Sequence, residues 1–402
     1  MVLGLLSWSA QAQQPFTLDE AVQTALKKNQ LIQAGEYQVE YFRQIRKTAS
    51  DIGKLSAIWM HGQYNSIYQD NNLTFAQTIP FPTVLLSQSQ LGTEQVIGAQ
   101  KTLRATQNDL AFEVKSVYYQ LLFQEAFRKL LRSQDSLYSD FSRASSLRFK
   151  TGETNLLEKT TTESQWMEVK NQLRVNHADI LIAQTRLQAL LKNDVPVGAS
   201  EALGKRQLPQ DIDTVSLAAN PQLSYLVQQA IISQRVRKLE RNRILPDIMV
   251  GYFTQSLIGI QNINGRDQVF GSGKQFQGLE LGISIPLWAG PQLARNRASA
   301  INEQVARKNA DHFKTTLNGA LTQALQEIDK NLASLEYYQA SALKNAELLL
   351  SQSRVAYTAG QIGYMEYLQS LKNAIAIKSN YLLSLNQYNQ SVVKVEYLLG
   401  KF

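Results

Sequence analysis

Residues 279–291, Leu-Glu-Leu-Gly-Ile-Ser-Ile-Pro-Leu-Trp-Ala-Gly-Pro, pass from one periodicity to another within a few positions. Up to Leu287 every second side chain is apolar: Leu279, Leu281, Ile283, Ile285 and Leu287. Glu280, Gly282, Ser284 and Pro286 fill the places between them. Period two with one apolar face describes a strand in a half-buried sheet or in the wall of a membrane barrel. No proline occurs in 292–402, and Leu317, Leu321, Ala324 and Ile328 are spaced 4, 3, 4. That is a helical stripe, in a stretch free of the residue that helix interiors exclude.

The same junction occurs earlier in the chain. Leu73, Phe75, Ile79 and Phe81 alternate with Thr74, Ala76, Thr78 and Pro80, and 83–195 contains no proline. Leu110, Val114, Val117 and Leu121 repeat the 4, 3, 4 spacing, 207 residues before the second set. Ile79-Pro80-Phe81 matches Ile285-Pro286-Leu287, and Phe149-Lys150-Thr151-Gly152 matches Tyr357-Thr358-Ala359-Gly360. Asn29-Gln30-Leu31 corresponds to Asn220-Pro221-Gln222-Leu223, and Tyr381, Leu385, Tyr388, Val392, Val395 and Leu399 form a closing heptad stripe. Landmarks that keep their order and spacing define an internal repeat. The reading divides the chain into a first repeat over 13–195, a linker over 196–216 rich in proline and glycine, and a second repeat over 217–402. Each copy runs helix, strand, strand, long helix, turn, helix, so the fold class is mainly α with a small β part. The strands are expected at about 57–68, 72–81, 247–258 and 275–287, with the glycine-rich 259–274 as a connection.

Four strands are too few to close a transmembrane barrel, whose smallest examples have about eight, and an open strand edge in lipid leaves backbone groups unsatisfied. Either the sheet lies in water, or several chains share one barrel; three would supply about twelve strands. Trp59, Tyr68, Phe81 and Trp288 sit at strand ends, as an interfacial girdle would. The 83–150 segment makes a helix of roughly 100 Å at ~1.5 Å per residue. An apolar stripe of that length calls for packing against copies of the chain.

Composition narrows the function classes. With 402 residues and 44% apolar residues the chain can bury a core, yet it has no run of about eighteen apolar residues such as a membrane helix needs. It has no cysteine, and so no disulfide or thiol chemistry. Residues 1–12, apolar from Val2 to Leu6 and ending in Ala10-Gln11-Ala12, read as the remnant of a secretory signal peptide that lacks its basic start. The net charge of +8 is spread over interleaved helix faces and does not call for nucleic acid. His61, His177 and His312 are too widely separated for a local metal motif, and no nucleophile, phosphate or dinucleotide motif is present. No enzyme and no cofactor are expected.

Thr17-Leu18-Asp19-Glu20-Ala21-Val22, Leu245-Pro246-Asp247-Ile248 and Ile285-Pro286-Leu287-Trp288-Ala289-Gly290 resemble motifs of TolC-like outer membrane efflux proteins. The two Phe/Tyr-x-x-Gly turns, with Glu158 and Glu366 six residues beyond each glycine, resemble the hairpin tips of that family. The resemblance implies a homotrimeric α-helical barrel continuous with a shared twelve-stranded β-barrel in the outer membrane. The partners it implies are outer-membrane lipid, a periplasmic adaptor (membrane fusion) protein and an inner-membrane resistance-nodulation-division pump. It places acids at the tunnel constriction, where Glu366 stands first and Gln369 second, so the ring is weaker here. It also implies a hydrogen bond from Tyr357 to Glu158 that holds the mouth shut. The arginine of that lock would fall at Ile362, which leaves the lock incomplete. Glu158 and Glu366 also read as ordinary exposed helix charges. Gly152 and Gly360 reverse the hairpins, and the resemblance adds adaptor contact at those turns.

Arg235, Arg237, Lys238, Arg241 and Arg243 precede the second strand pair, and Arg43, Arg46, Lys47 and Lys54 the first. Both groups read either as contacts to lipid phosphates or as solvated helix faces. Asn72 to Thr83 is similar to the branch that serves heavy-metal pumps, so the expected cargo is metal cations or small toxic compounds. The alternatives are a periplasmic coiled-coil adaptor or structural protein, and a duct for peptide or protein export.

Overall fold

A computed structural model describes residues 14–209 and 216–401. The signal-peptide reading of 1–12 and part of the 196–216 linker lie outside the described residues. Helices α1 (Leu18–Lys28), α2 (Gln30–Lys47), α3 (Pro82–Lys150), α4 (Leu156–Leu191), α5 (Pro221–Asn242), α6 (Gly290–Tyr337), α7 (Leu343–Thr358) and α8 (Tyr364–Leu399) carry most of the chain. The strands are β1 (Gln14–Phe16), β2 (Ser56–Gly62), β3 (Asp70–Ile79), β4 (Val197–Ala199), β5 (Asp247–Ser256), β6 (Gly259–Ile263), β7 (Arg266–Phe270) and β8 (Gln275–Ser284). Two compact units cut across the sequence repeats. One draws on Met1–Ala34, Leu103–Pro221 and Lys314–Phe402, the other on Gly35–Thr102 and Gln222–Phe313.

In the first unit, Thr17 caps α1. Its hydroxyl accepts from the Glu20 amide at 3.3 Å, while the Glu20 carboxylate accepts from the Thr17 amide at 2.9 Å. The capped helix lays Leu18, Ala21, Val22 and Ala25 against Leu110, Val114, Tyr118 and Leu121 of α3 and Leu187 and Leu191 of α4. β1 and β4 pair in parallel beside this core, Gln14 opposite Val197. Three-residue strands leave no period to read, and the sequence analysis did not anticipate them. A buried ionic cluster sits nearby. Glu396 accepts from Lys115 Nζ at 2.8 Å and from Arg206 Nε and Nη2 at 2.6 and 3.0 Å. Arg206 also donates to the Tyr119 hydroxyl, and its amide to Asn389 Oδ1, so the segment after β4 is tied to α3 and α8.

The repeat has a local irregularity. Before residue 330, buried positions correspond at a separation of 207: Leu110 with Leu317, Leu121 with Ile328. Beyond it they correspond at 208: Tyr138 with Ala346, Ser145 with Ser353, Ile180 with Tyr388, Leu191 with Leu399. One residue has been inserted between, and the structure places a π-helical turn at Tyr338–Ala342, between α6 and α7. A π turn takes up one extra residue without breaking the helix, so the core face downstream stays in phase.

The second unit holds a four-stranded antiparallel sheet in the order β2-β3-β5-β8. Its register aligns Ala57, Phe75, Tyr252 and Leu279 across the four strands, and Ile79, Ile248 and Ile283 across three. Those side chains share one face, on which Leu279 and Leu281 are 79% and 81% exposed. The opposite face mixes Thr74, Ala76, Thr78, Gly251, Glu280 and Gly282 with the larger Ile58, Met249 and Phe253. Among the described residues, β2 pairs only with β3 and β8 only with β5, so both outer edges are open.

The strands are shorter than expected in places. β2 stops at Gly62 rather than 68, because Asn65 donates to the Ser256 carbonyl and Ser66 to Asp70, bonds that compete with the ladder. β3 and β8 stop before Pro80 and Pro286, which cannot donate to a ladder. The expected connection 259–274 contains the β6–β7 hairpin instead. It turns at Asn264-Gly265, both at positive φ (54° and 79°), the favoured residue pair for a tight two-residue hairpin turn. No described helix is long and apolar enough to cross a membrane.

Candidate functional site at the helix-hairpin turns

α3 gives way to α4, and α7 to α8, through turns of the same construction. Gly152 and Gly360 adopt φ of +79° and +71°. Beyond them the Glu153 and Gln361 amides reach back to the carbonyls of Arg148 and Ala356, both at 2.8 Å. This is the six-to-one closure that a left-handed glycine allows. A Cβ on either glycine would meet nothing within 4 Å, so backbone conformation alone demands glycine and the turns stand open. Asn155 then caps α4 by accepting from the Glu158 amide at 2.9 Å.

The two hairpins meet through aromatic rings. Phe141 of α3 packs edge-on to Tyr357 and Tyr367 and stacks on Tyr364, with centroids 5.1–5.7 Å apart. Tyr357 stacks on Tyr367 at 4.8 Å, and Tyr138, Val169, Leu368 and Leu371 complete the cluster. Burial raises the phenols of Tyr357, Tyr364 and Tyr367 above their ordinary range and pushes Tyr138 up to about 12, so all four stay neutral at physiological pH.

Above the rings lies a polar link that the sequence reading located only in part. Tyr357 makes no hydrogen bond to Glu158. Its hydroxyl accepts from Arg148 Nη1 at 2.8 Å, and the same nitrogen donates to Glu158 Oε1 at 3.3 Å. Glu158 also accepts from the Thr154 hydroxyl. A guanidinium of the first hairpin thus bridges the two oxygens, while Ile362, as read from the sequence, supplies no charge and packs against the aromatic cluster. A cation satisfies a carboxylate and a phenol oxygen together, whereas two acceptors facing each other would leave the carboxylate without a counter-charge. No sequence signal marked Arg148, one of many basic residues at helix ends. Thr162 adds a second contact between hairpins, 3.1 Å from the Tyr364 hydroxyl.

Glu366 and Gln369 are not brought to this link. Glu366 is exposed, and its carboxylate accepts from the Gly363 amide at 3.3 Å, closing the first turn of α8. Gln369 is exposed and donates to Asn373. Among the described residues no group of three His, Cys, Asp or Glu side chains could hold a metal. The basic set on α5 is mostly committed within its own unit. Arg235 pairs with Glu94 at 3.1 Å, Arg237 with Glu303 at 3.2 Å, Arg243 with Glu240 at 2.7 Å, and Lys238 donates to Gln90. Arg241 is exposed and, among the described residues, has no such partner.

No protein-family model matches the chain. It is 22% identical over 315 residues to the cobalt-zinc-cadmium resistance protein CzcC of Cupriavidus metallidurans, covering 75% of this chain and 70% of that protein. Among solved structures it is similar to the CmeC outer membrane channel of Campylobacter jejuni, with a TM-score of 0.78 and 14% identity over 99% of this chain and 91% of that one. The outer-membrane channel OprN matches at 0.81 with 15% identity, covering 96% and 90%. CusC, described as forming a transmembrane channel, matches at 0.78 with 15% identity, covering 95% and 92%. The chain has the fold of these channels.

Proposed function

We propose that this chain, built on the TolC-like channel fold, is the outer-membrane duct of a tripartite efflux system and has no catalytic role. One observation carries the reading: a four-stranded sheet with an apolar, exposed face and two open edges. In water that face would aggregate, and in lipid the edges would leave a row of unsatisfied backbone groups. Both difficulties vanish if three copies join edge to edge into one barrel of twelve strands, with the helices continuing as a tunnel in the periplasm. The chain is then a homotrimer seated in outer-membrane lipid. Its partners are a periplasmic adaptor and an inner-membrane pump of the resistance-nodulation-division type. The open turns at Gly152 and Gly360, flanked by the exposed Leu156, Leu157 and Met365, suit contact with adaptor tips. Glu366 and Gln369 line the constriction, and the Tyr357–Arg148–Glu158 link holds the two hairpins together when the mouth is closed. The name of CzcC supports divalent metal cations as cargo.

Because the chain has no native cysteine, a clean test is available. One cysteine is placed in β2 and one in β8, and the detergent-extracted protein is oxidised. The expected product is a covalent ladder that ends at three chains. A disulfide formed within single chains, or a stable monomer, overturns the shared barrel.

A further inference from the structure

We infer that the cavity between the end of α2 and the start of α3 is a binding site for the phosphate headgroup of an anionic phospholipid. This rests on the duct reading and gives it a specific lipid contact. The cavity measures about 530 Å³ and is lined by Arg43, Arg46, Lys47, Ala49, Ser50, Leu85 and Ser89. The three cations follow the 3, 4 spacing of one helix face, so they converge on one side of α2. Gly92 of α3 lets the two helices approach there: a Cβ on it would come within 3.2 Å of the Arg46 Cα.

What separates this cluster from the α5 set is the state of its charges. Arg235, Arg237 and Arg243 each face a carboxylate in the chain. Arg46 has no hydrogen-bonded or ionic partner among the described residues, and Lys47 donates to the neutral Gln44 at 2.8 Å, feeling Glu40 only through space. Arg43 reaches Glu40 at 3.3 Å, an exposed pair that solvent screens. Three cations and two serines thus surround a space with no acid in its lining, a suitable frame for a phosphate group.

The surroundings favour a lipid over a free anion. Leu85 and Ala49 form part of the wall, and Ile45, Ile52 and Leu55 are exposed next to it along the chain. β2 begins at Ser56, a few residues after the cavity, and α3 begins just after β3 ends. The cavity therefore lies where the first strand pair joins its helices. On the duct reading that is the depth of the inner-leaflet headgroups, with the apolar strand face on one side and water on the other. A diacyl phosphate would set its charge among Arg43, Arg46 and Lys47 and run its chains along the apolar rim; inorganic phosphate would use only the charges.

The test is a lipid titration of the purified full chain, read by native mass spectrometry, with phosphatidylglycerol, phosphatidylcholine and inorganic phosphate as separate probes. The parent should retain phosphatidylglycerol in preference to phosphatidylcholine. The triple variant Arg43→Gln, Arg46→Gln, Lys47→Gln should bind it more weakly by about fivefold per residue, on the order of a hundredfold in all. Arg235→Gln with Lys238→Gln should bind like the parent. Oligomer size and far-UV circular dichroism confirm that each variant is folded. Unchanged retention in the triple variant of an intact trimer overturns the site and leaves the duct standing. Inorganic phosphate binding as tightly as the lipid overturns the lipid assignment. A parent that neither trimerises nor takes up any lipid overturns the duct reading, and this site with it.

Discussion

Replacing Glu396 by glutamine removes the one carboxylate that, among the described residues, pairs with both Lys115 and Arg206. The three side chains are 10%, 9% and 22% exposed for Lys115, Glu396 and Arg206, so solvent can do little to compensate. At about 3 Å and an effective dielectric near 20, each cation–carboxylate pair is worth roughly 5 kcal/mol of Coulomb energy. Much of that offsets desolvation, and breaking a buried pair by removing one partner costs about 3–5 kcal/mol net. The cluster carries a charge of +1, and the variant would leave +2 on two shielded cations. Lys115→Met should be the milder change, because it leaves the Arg206–Glu396 pair neutral and doubly hydrogen-bonded. Thermal unfolding followed at the helical dichroism band, at one scan rate, should place Glu396→Gln about 5 °C below the parent and Lys115→Met between the two. If Lys115→Met unfolds as early as Glu396→Gln, the counter-ion argument is wrong, and the cluster stabilises through packing instead.

Three further expectations follow from the hairpins and the irregular helix. Arg148→Met and Tyr357→Phe should each raise single-channel conductance in planar bilayers, and the double variant should do little more than Arg148→Met alone, since both remove the same 2.8 Å bond; additive effects would separate the two residues. Glu366→Gln should reduce cation preference and abolish block by divalent cations from the periplasmic side, because like charges around a constriction set the local field; identical selectivity in parent and variant would remove Glu366 from the lumen. Deleting Ala340 from the π turn should shift unfolding little, as the turn relaxes to an α-helix with the downstream face in phase. Deleting Gly319 rotates the following segment by about 100°, takes Leu321, Ala324 and Ile328 off the core, and should prevent stable folding; equal tolerance of both deletions would refute the inserted-residue account.

The fold was largely legible because its signals are local. Exclusion of proline marks a helix interior whatever the helix packs against, and period two marks a strand with unlike faces. Gly152 and Gly360 were legible for the same reason, since a left-handed turn selects its residue within the turn itself. The Asn264-Gly265 hairpin carried an equally local signal in a segment read as a connection. The inserted residue was also present in the sequence, as the change in separation from 207 to 208, but its position was not. Anywhere between Ile328 and Tyr357 satisfies the count, and packing on both sides of the insertion decided for 338–342. The charge pairings belong wholly to the tertiary structure. Lys115, Arg206 and Glu396 are separated by 91 and 190 residues along the chain, and Arg148 reaches Tyr357 across 209. Nothing in the neighbourhood of a basic residue says which distant carboxylate will meet it. That depends on which helix faces are brought together, and the long-range burial of apolar stripes determines it.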